Sequence, residues 1–465
     1  MKNIEGKQWY RWVILTACCL VYVTSQTVRW NYASITGYLM TDLHIGKVEL
    51  GLLGSAFFYA YSVGQVPWGW AHDTFGARRV IPVGIAILAF FLAGFAFAAT
   101  FTQAVGWRMA MGLASAAGFV PNTSLISRWF SIKERAFALN MHSAVGGGLG
   151  EVVIFLLVPL VALLLGEGGT IFGLGSWRGS TFFAAIFVLV IAGLAALLMR
   201  SDPTNIGLPS IQAAEDYSAN ANEKEATYRE NVIAAIKDPA MWLTAVSFTG
   251  FTISCRLLPG WLPLYTASYY IQTQGMGKKE AAVAAGAIVT MMVIGRVFGT
   301  PIVGKISDIL LYRYKVPRSA VCLVLHLLTA TFFLGFTFPM PSVYVIGALS
   351  LFAGVTMNSF GLVNATCAEI WSVKTAGFNN GLVNTLGGFG GATALAMSGY
   401  WAVKYAGAGG GYWTEFQGIW YLGVINGIVA AAVSIYIMYR EKRAIKQHLM
   451  EDYCECESEE VRADL

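Results

Sequence analysis

Runs of about 20 mostly apolar residues alternate with short polar connections along the whole chain. They lie near residues 12–36, 48–70, 80–100, 103–127, 136–165, 179–199, 240–271, 280–303, 319–338, 342–366, 376–403 and 417–439. A helix rises about 1.5 Å per residue, so about 20 residues cross the roughly 30 Å hydrocarbon core of a bilayer. The pattern predicts an all-α integral membrane protein of twelve transmembrane helices, spans 1 to 12 in chain order. Between spans 6 and 7 the chain turns abruptly polar, with Asp202-Pro203, Pro209 and the run 213–230. This divides it into an amino-terminal six-helix half at 1–200, a cytoplasmic linker at 201–237, a carboxy-terminal six-helix half at 238–440 and a cytoplasmic tail at 441–465. Residues 223–236 suit either an amphipathic surface helix or solvated linker. The tail, basic and then acidic from Glu455 to Glu460, is expected to be disordered.

Composition excludes an ordinary soluble domain: 56% of residues are hydrophobic and 12% charged, against about a quarter charged in globular proteins. Positive charge sets the orientation. With both termini inside, 22 of the 31 Lys and Arg fall on the cytoplasmic side, 5 outside and 4 within spans, so the termini are expected to be cytoplasmic. The net charge of +5 is then topological and implies no nucleic acid. The first run is far longer than a signal-peptide core and is expected to be retained. Cys454 and Cys456 would lack the further ligands a metal site needs, and no cysteine pattern asks for a disulfide. No phosphate-binding glycine loop with lysine, H-E-x-x-H pair or activated nucleophile motif is present, which points away from an enzyme.

Two spans contain a charge that hydrocarbon does not tolerate. Arg29 interrupts span 1 and Arg256 interrupts span 7, each about seventeen residues into its run. Burying such a cation alone costs about 2.5 kcal/mol or more, so each needs water, a partner or an anionic ligand. No acid lies near either in its own span. A guanidinium offers a fork of donors matched to carboxylate, sulfonate or phosphate, so the pair predicts one shared anion site, with structural ion pairing as the bland alternative. Tyr32 beside Arg29, Trp261 and Tyr265 after Arg256, Tyr61 in span 2 and Asn384 in span 11 are candidate linings. Each aromatic alone more often serves packing or an interfacial anchor.

The turn after span 2 reads Gly69-Trp70-Ala71-His72-Asp73-Thr74-Phe75-Gly76-Ala77-Arg78-Arg79, a G-x-x-x-D-x-x-G-x-R-R pattern. It resembles the signature loop of the major facilitator superfamily at every defining position. A weaker copy, Gly304-Lys305-Ile306-Ser307-Asp308, follows span 8 with an offset of 235, its second glycine replaced by Leu311. Asn140 with Gly147-Gly148-Leu149-Gly150 in span 5 matches Asn380 with Gly387-Gly388-Phe389-Gly390 in span 11 at an offset of 240. The agreeing offsets argue for a six-plus-six duplication. Such glycines let helices pack closely, as needed where two halves rock.

Leu257-Leu258-Pro259-Gly260-Trp261-Leu262-Pro263-Leu264-Tyr265 resembles span 7 of the superfamily's anion:cation symporters and organophosphate antiporters. That resemblance implies that Arg29 and Arg256 bind the anionic part of a substrate. The antiporters' span-5 histidine falls on Ser143, with His142 one position away, which weakens a phosphate-ester exchange reading. Arg108 resembles the superfamily's span-4 arginine and is expected to line the cavity or pair with Glu151; Arg296 is expected to support the second signature loop.

Glu151, an acid well inside span 5, suits either proton coupling or a neutral carboxyl bonded to a neighbouring helix. Asp73, Arg78, Arg79 and Asp308 are expected to gate the cytoplasmic side. Together these features predict a monomeric secondary transporter in the cytoplasmic (inner) membrane. It would move a small organic anion by alternating access, in symport with a proton, without cofactor or metal. Exchange of phosphorylated or dicarboxylate anions and a non-transporting anion sensor are the alternatives. A membrane subunit of a respiratory enzyme would instead show buried lysines and glutamates in series.

Overall fold

The computed structural model describes residues 9–130, 132–164, 174–208, 228–371, 376–407 and 410–463. The side chains of Asp73, Asn140, Asn364 and Asn380 and most of the linker, residues 209–227, lie outside the described part.

Span 1 is Tyr10–Ser34, span 2 Lys47–Phe75, span 3 Ala77–Ala96 and span 6 Ser176–Leu198. Span 4, Phe101–Trp129, is interrupted by a 3₁₀ turn at Ala116–Gly118. Span 5, Phe137–Leu164, carries two π-helical turns, His142–Gly146 and Val153–Leu157. In the second half, span 7 is Pro239–Gln274, span 8 Lys278–Tyr314, span 9 Arg318–Gly335 and span 11 Ala376–Lys404. Span 10 is split into Val343–Thr356 and Phe360–Ile370. Span 12 belongs to the helix Gln417–Ala463, so the tail expected to be disordered continues that helix. The end of the linker is also helical, Tyr228–Lys237.

Ten helical segments among the described residues are long and apolar enough to cross a membrane. Spans 2 and 11 are the other two. Each has 29 residues and is diluted by small and polar side chains such as Ser55, Ser62, Gln65, Asn384 and Ser398. They pack on each other in the middle of the molecule, where a helix meets protein on more sides and needs less apolar surface. Large side chains such as Phe90, Leu197, Phe298 and Ile302 instead line the outside of the bundle, exposed by 53–70%, as a lipid-facing surface requires.

The internal duplication is visible in the packing. Spans 1 and 5, 2 and 4, and 3 and 6 pair in the first half; 7 and 11, 8 and 10, and 9 and 12 repeat those pairings in the second. Contacts between the halves are also related: span 2 packs on span 11, and span 5 on span 8. Small residues permit both. A Cβ on Gly51 would lie 2.8 Å from the Leu395 carbonyl oxygen, and one on Gly286 would collide with the carbonyl of Phe155.

The two signature loops differ in shape. Gly76 ends span 2 with φ +79°, a left-handed value open to glycine, and span 3 begins at Ala77. In the second copy Leu311 stands in place of that glycine. The helix runs straight through Gly304–Asp308 and stops only at Lys315, eleven residues past the expected end of span 8.

Candidate functional site: an arginine field between the halves

The middle of the bundle gathers four arginines from four spans. The Arg29 guanidinium carbon lies 4.8 Å from the ring centre of Tyr61 and 5.8 Å from that of Phe58, both in span 2. Arg256, from the other half, lies 4.1 Å from the centre of the same Phe58 ring. The two cations are therefore within about 10 Å of each other, on either end of the expected shared site. Arg256 also donates through Nη1 to the carbonyl of Gly388, at 2.5 Å. A Cβ on Gly391 would stand 3.0 Å from its Cδ, so the glycines of span 11 make room for this side chain as well as for helix packing.

Arg108 has a different task from the one expected. Fully buried, it donates to the carbonyls of Leu53, Val28 and Arg29 at 3.1–3.3 Å and lies 4.6 Å from the ring centres of both Tyr32 and Phe57. It ties span 4 to spans 1 and 2 and makes no contact with Glu151. The partner of Glu151 is Arg296, which forms an ion pair with it across the interface of spans 5 and 8. Trp30 completes the arrangement by donating its Nε1–H to Glu151 Oε1 at 3.1 Å. Arg296 thus serves the centre of the molecule, whereas Asp308 of the second signature loop is paired with Arg318 at 2.5 Å.

The remaining candidates divide. Tyr32 is buried against Arg108, with its hydroxyl facing Gly54 and Gly260. Tyr61 covers Arg29. Trp261 and Tyr265 are not brought to the arginines. Trp261 donates to Ser398 Oγ at 2.8 Å, and Tyr265 sits in an aromatic cluster with Phe336, Tyr412, Phe416 and Trp420. Asn384 is half-buried in span 11. Arg78 and Arg79 are exposed in the first turn of span 3, the backbone N–H of Arg78 donating to Ser201 Oγ. Sequence reasoning missed Phe58, which nothing in an apolar run distinguishes from packing.

Against four arginines, the middle of the spans holds one acid among the described residues, Glu151. Polar side chains without partners lie along span 1: Ser25 Oγ, the Asn31 amide and the Tyr32 hydroxyl are all buried. A strongly cationic centre of this kind fits a diffusible anion.

The model of the Major Facilitator Superfamily matches residues 18–395. The chain belongs to this superfamily. It is a multi-pass membrane transporter, not an enzyme. A probable sulfoacetate transporter of Cupriavidus necator is 25% identical over 406 residues, covering 84% of this chain and 87% of that protein. A probable galactarate/D-glucarate transporter of Bacillus subtilis is 27% identical over 431 residues, covering 84% and 85%. A probable hexose phosphate transport protein of Chlamydia trachomatis is 24% identical over 405 residues, covering 83% and 84%. Among solved structures, a bacterial homologue of the human lysosomal transporter Spinster, inward-facing and unoccupied, superposes with a TM-score of 0.73 at 15% identity, covering 94% of this chain and 98% of that one. A D-xylose-proton symporter superposes at 0.69 with 12% identity, covering 91% and 97%. These superpositions speak to the fold of this facilitator.

Two ion pairs cross between the halves of this facilitator among the described residues. Glu151–Arg296 lies mid-span, and Lys47–Glu415, at 2.7 Å, lies at the end of the bundle opposite the two termini. Gly399 and Lys47 bring spans 2 and 11 into close contact at that same end.

Proposed function

We propose that this transporter imports a small organic anion, a carboxylate, sulfonate or similar compound, across the cytoplasmic membrane in symport with a proton. The observation that carries the reading is that Arg29 and Arg256, one from each half, share the Phe58 ring. An anion held between them links the halves and gives each a stake in the same cargo, as alternating access requires. The relatives named for sulfoacetate and glucarate transport support the substrate class. Arg29 and Arg256 hold the anion, Tyr32 and Tyr61 border it, and Glu151 carries the proton. With cytoplasmic termini, the Lys47–Glu415 pair and the close contact at Gly399 lie on the outer side of the membrane. Asp73, Arg78, Arg79 and Asp308 then act when the cytoplasmic side closes, and the transporter works as a monomer.

The test is uptake of labelled sulfoacetate, D-glucarate and 3-phosphoglycerate into proteoliposomes. An inwardly directed proton gradient is expected to drive accumulation of at least one of them. Uptake that needs internal anion and ignores the gradient indicates exchange. Absence of uptake of all three, or parental uptake by Arg29→Lys and Arg256→Lys, overturns the anion reading.

A further inference from the structure

Glu151 and Arg296 are unequally sealed: the carboxylate side chain is 1% exposed and the guanidinium 21%. The acid is enclosed by Trp30 on one side and Arg296 on the other, and a Cβ on the preceding Gly150 would stand 2.6 Å from the Val23 carbonyl oxygen. The groups with charge or a titratable proton around Glu151 are few. Span 1 brings Arg29 and Tyr22, span 8 brings Arg296 and span 7 brings Cys255. Cys255 adjoins Arg256 in sequence and also interacts with Arg296. Arg296 is therefore linked to Arg29 through Glu151 and to Arg256 through Cys255, and its charge is cancelled by the Glu151 carboxylate.

We propose that Arg296 is a third anion ligand, held in reserve by Glu151 and released to the cargo when Glu151 takes up a proton. This rests on the anion-transport reading above. The charges balance. A proton from the medium adds to a carboxylate oxygen of Glu151, the ion pair with Arg296 is lost, and the field gains one positive charge. The arriving anion cancels that charge. Trp30 keeps its bond, because a protonated carboxyl still offers an acceptor oxygen. Proton and anion thus promote each other's binding, as reciprocity between linked sites demands. The two cargoes are coupled by exchange of partners at one guanidinium.

The experiment is binding of sulfoacetate, D-glucarate and 3-phosphoglycerate to the purified full chain in nanodiscs, by calorimetry, across a pH series. For whichever probe binds, the parent is expected to bind more tightly as pH falls, approaching tenfold per unit where one proton is taken up with each anion. Glu151→Gln leaves Arg296 free at every pH and is expected to bind tightly with no pH slope. Arg296→Gln is expected to bind weakly with no slope. Should that variant not fold, Glu151→Gln/Arg296→Gln, which leaves no unpaired charge, is expected to show the same weak, flat profile. A Glu151→Gln protein that keeps the parental slope, or a double variant that binds as tightly as Glu151→Gln, overturns the proposal while leaving anion binding standing. A parent that binds none of the probes at any pH overturns the anion reading and this inference with it.

Discussion

Glu151 of span 5 and Arg296 of span 8 join the two halves of the molecule mid-membrane, and Trp30 of span 1 holds the acid from behind. Removing one member of such a pair strands a charge in a medium of low dielectric, which costs about 3–5 kcal/mol in buried pairs. Arg296 is partly open, so the cost here falls at the lower end. Arg296→Met is expected to lower the thermal unfolding midpoint markedly, and Glu151→Gln in the same chain to restore most of the loss. Equal midpoints for the single and double variants would mean that the pair contributes little to the fold.

Arg29 stacks on Tyr61 and shares Phe58 with Arg256. Lysine keeps the charge but loses the planar fork and much of the stacking. Arg29→Lys is expected to reduce uptake per inserted molecule by tenfold or more, equivalent to about 1.4 kcal/mol or more of lost stabilisation. Parental uptake by correctly inserted protein would remove Arg29 from the binding site.

Arg108 should separate structure from transport. Its three carbonyl contacts and its two ring contacts all lie inside the first half, and charge-assisted bonds are worth about 1.5–3 kcal/mol each. Arg108→Met is expected to reduce the yield of folded protein and its melting temperature, while the protein that does fold retains more uptake than Arg29→Lys. A stable but inactive Arg108→Met would place this arginine in the site.

Gly286 faces the Phe155 carbonyl so closely that any Cβ would collide with backbone. Gly286→Ala is expected to push span 8 from span 5, costing about 1–3 kcal/mol through overpacking and slowing turnover by weakening the Glu151–Arg296 pair. Thermal midpoint and uptake rate should fall together. A fall in the midpoint alone would uncouple this contact from transport.

Lys47 and Glu415 pair at the rim, where the acid is half exposed. Such pairs are worth about 0–1 kcal/mol, so Lys47→Ala can shift the balance of conformations about fivefold at most. Thiol labelling of a cysteine placed near Ser398 is expected to rise by no more than this. A much larger rise would mean that the rim pair, rather than the packing of spans 2 and 11, holds that end together.

Much of the fold is legible in the sequence because a bilayer imposes a length and a polarity on every span. The duplication is legible because glycine clusters and signature loops survive at matching offsets. Arg29 and Arg256 announce themselves as charges in apolar runs. Trp261 and Tyr265 do not, because span 7 is rich in apolar and aromatic residues on every side, and spacing alone does not tell a ring facing the cavity from one facing span 12. The Glu151–Arg296 pair is hidden for another reason: the two residues are 145 positions apart, on helices of different halves, and nothing local to either marks the other. The second signature motif follows the sequence of the first but not its shape, because Leu311 in place of the glycine lets the helix continue.

The two π-turns of span 5 flank the short α-helical stretch Gly147–Val152 that carries Glu151. Each holds one residue more than an α-turn would. Since each residue of an α-helix advances its side chain by about 100°, one such turn amounts to a slip of phase in the middle of a continuous rod. A pair of such turns, one before Glu151 and one after, stores two surplus residues, so the facing of Glu151 is not the one that an uninterrupted 3.6-residue spacing along the span would give it. Deleting one residue from His142–Gly146 would convert this wide turn into an α-turn and leave Glu151 facing Arg296 and Trp30, whereas deleting one from Gly147–Gly150, where no surplus is stored, would turn Glu151 about 100° away from them.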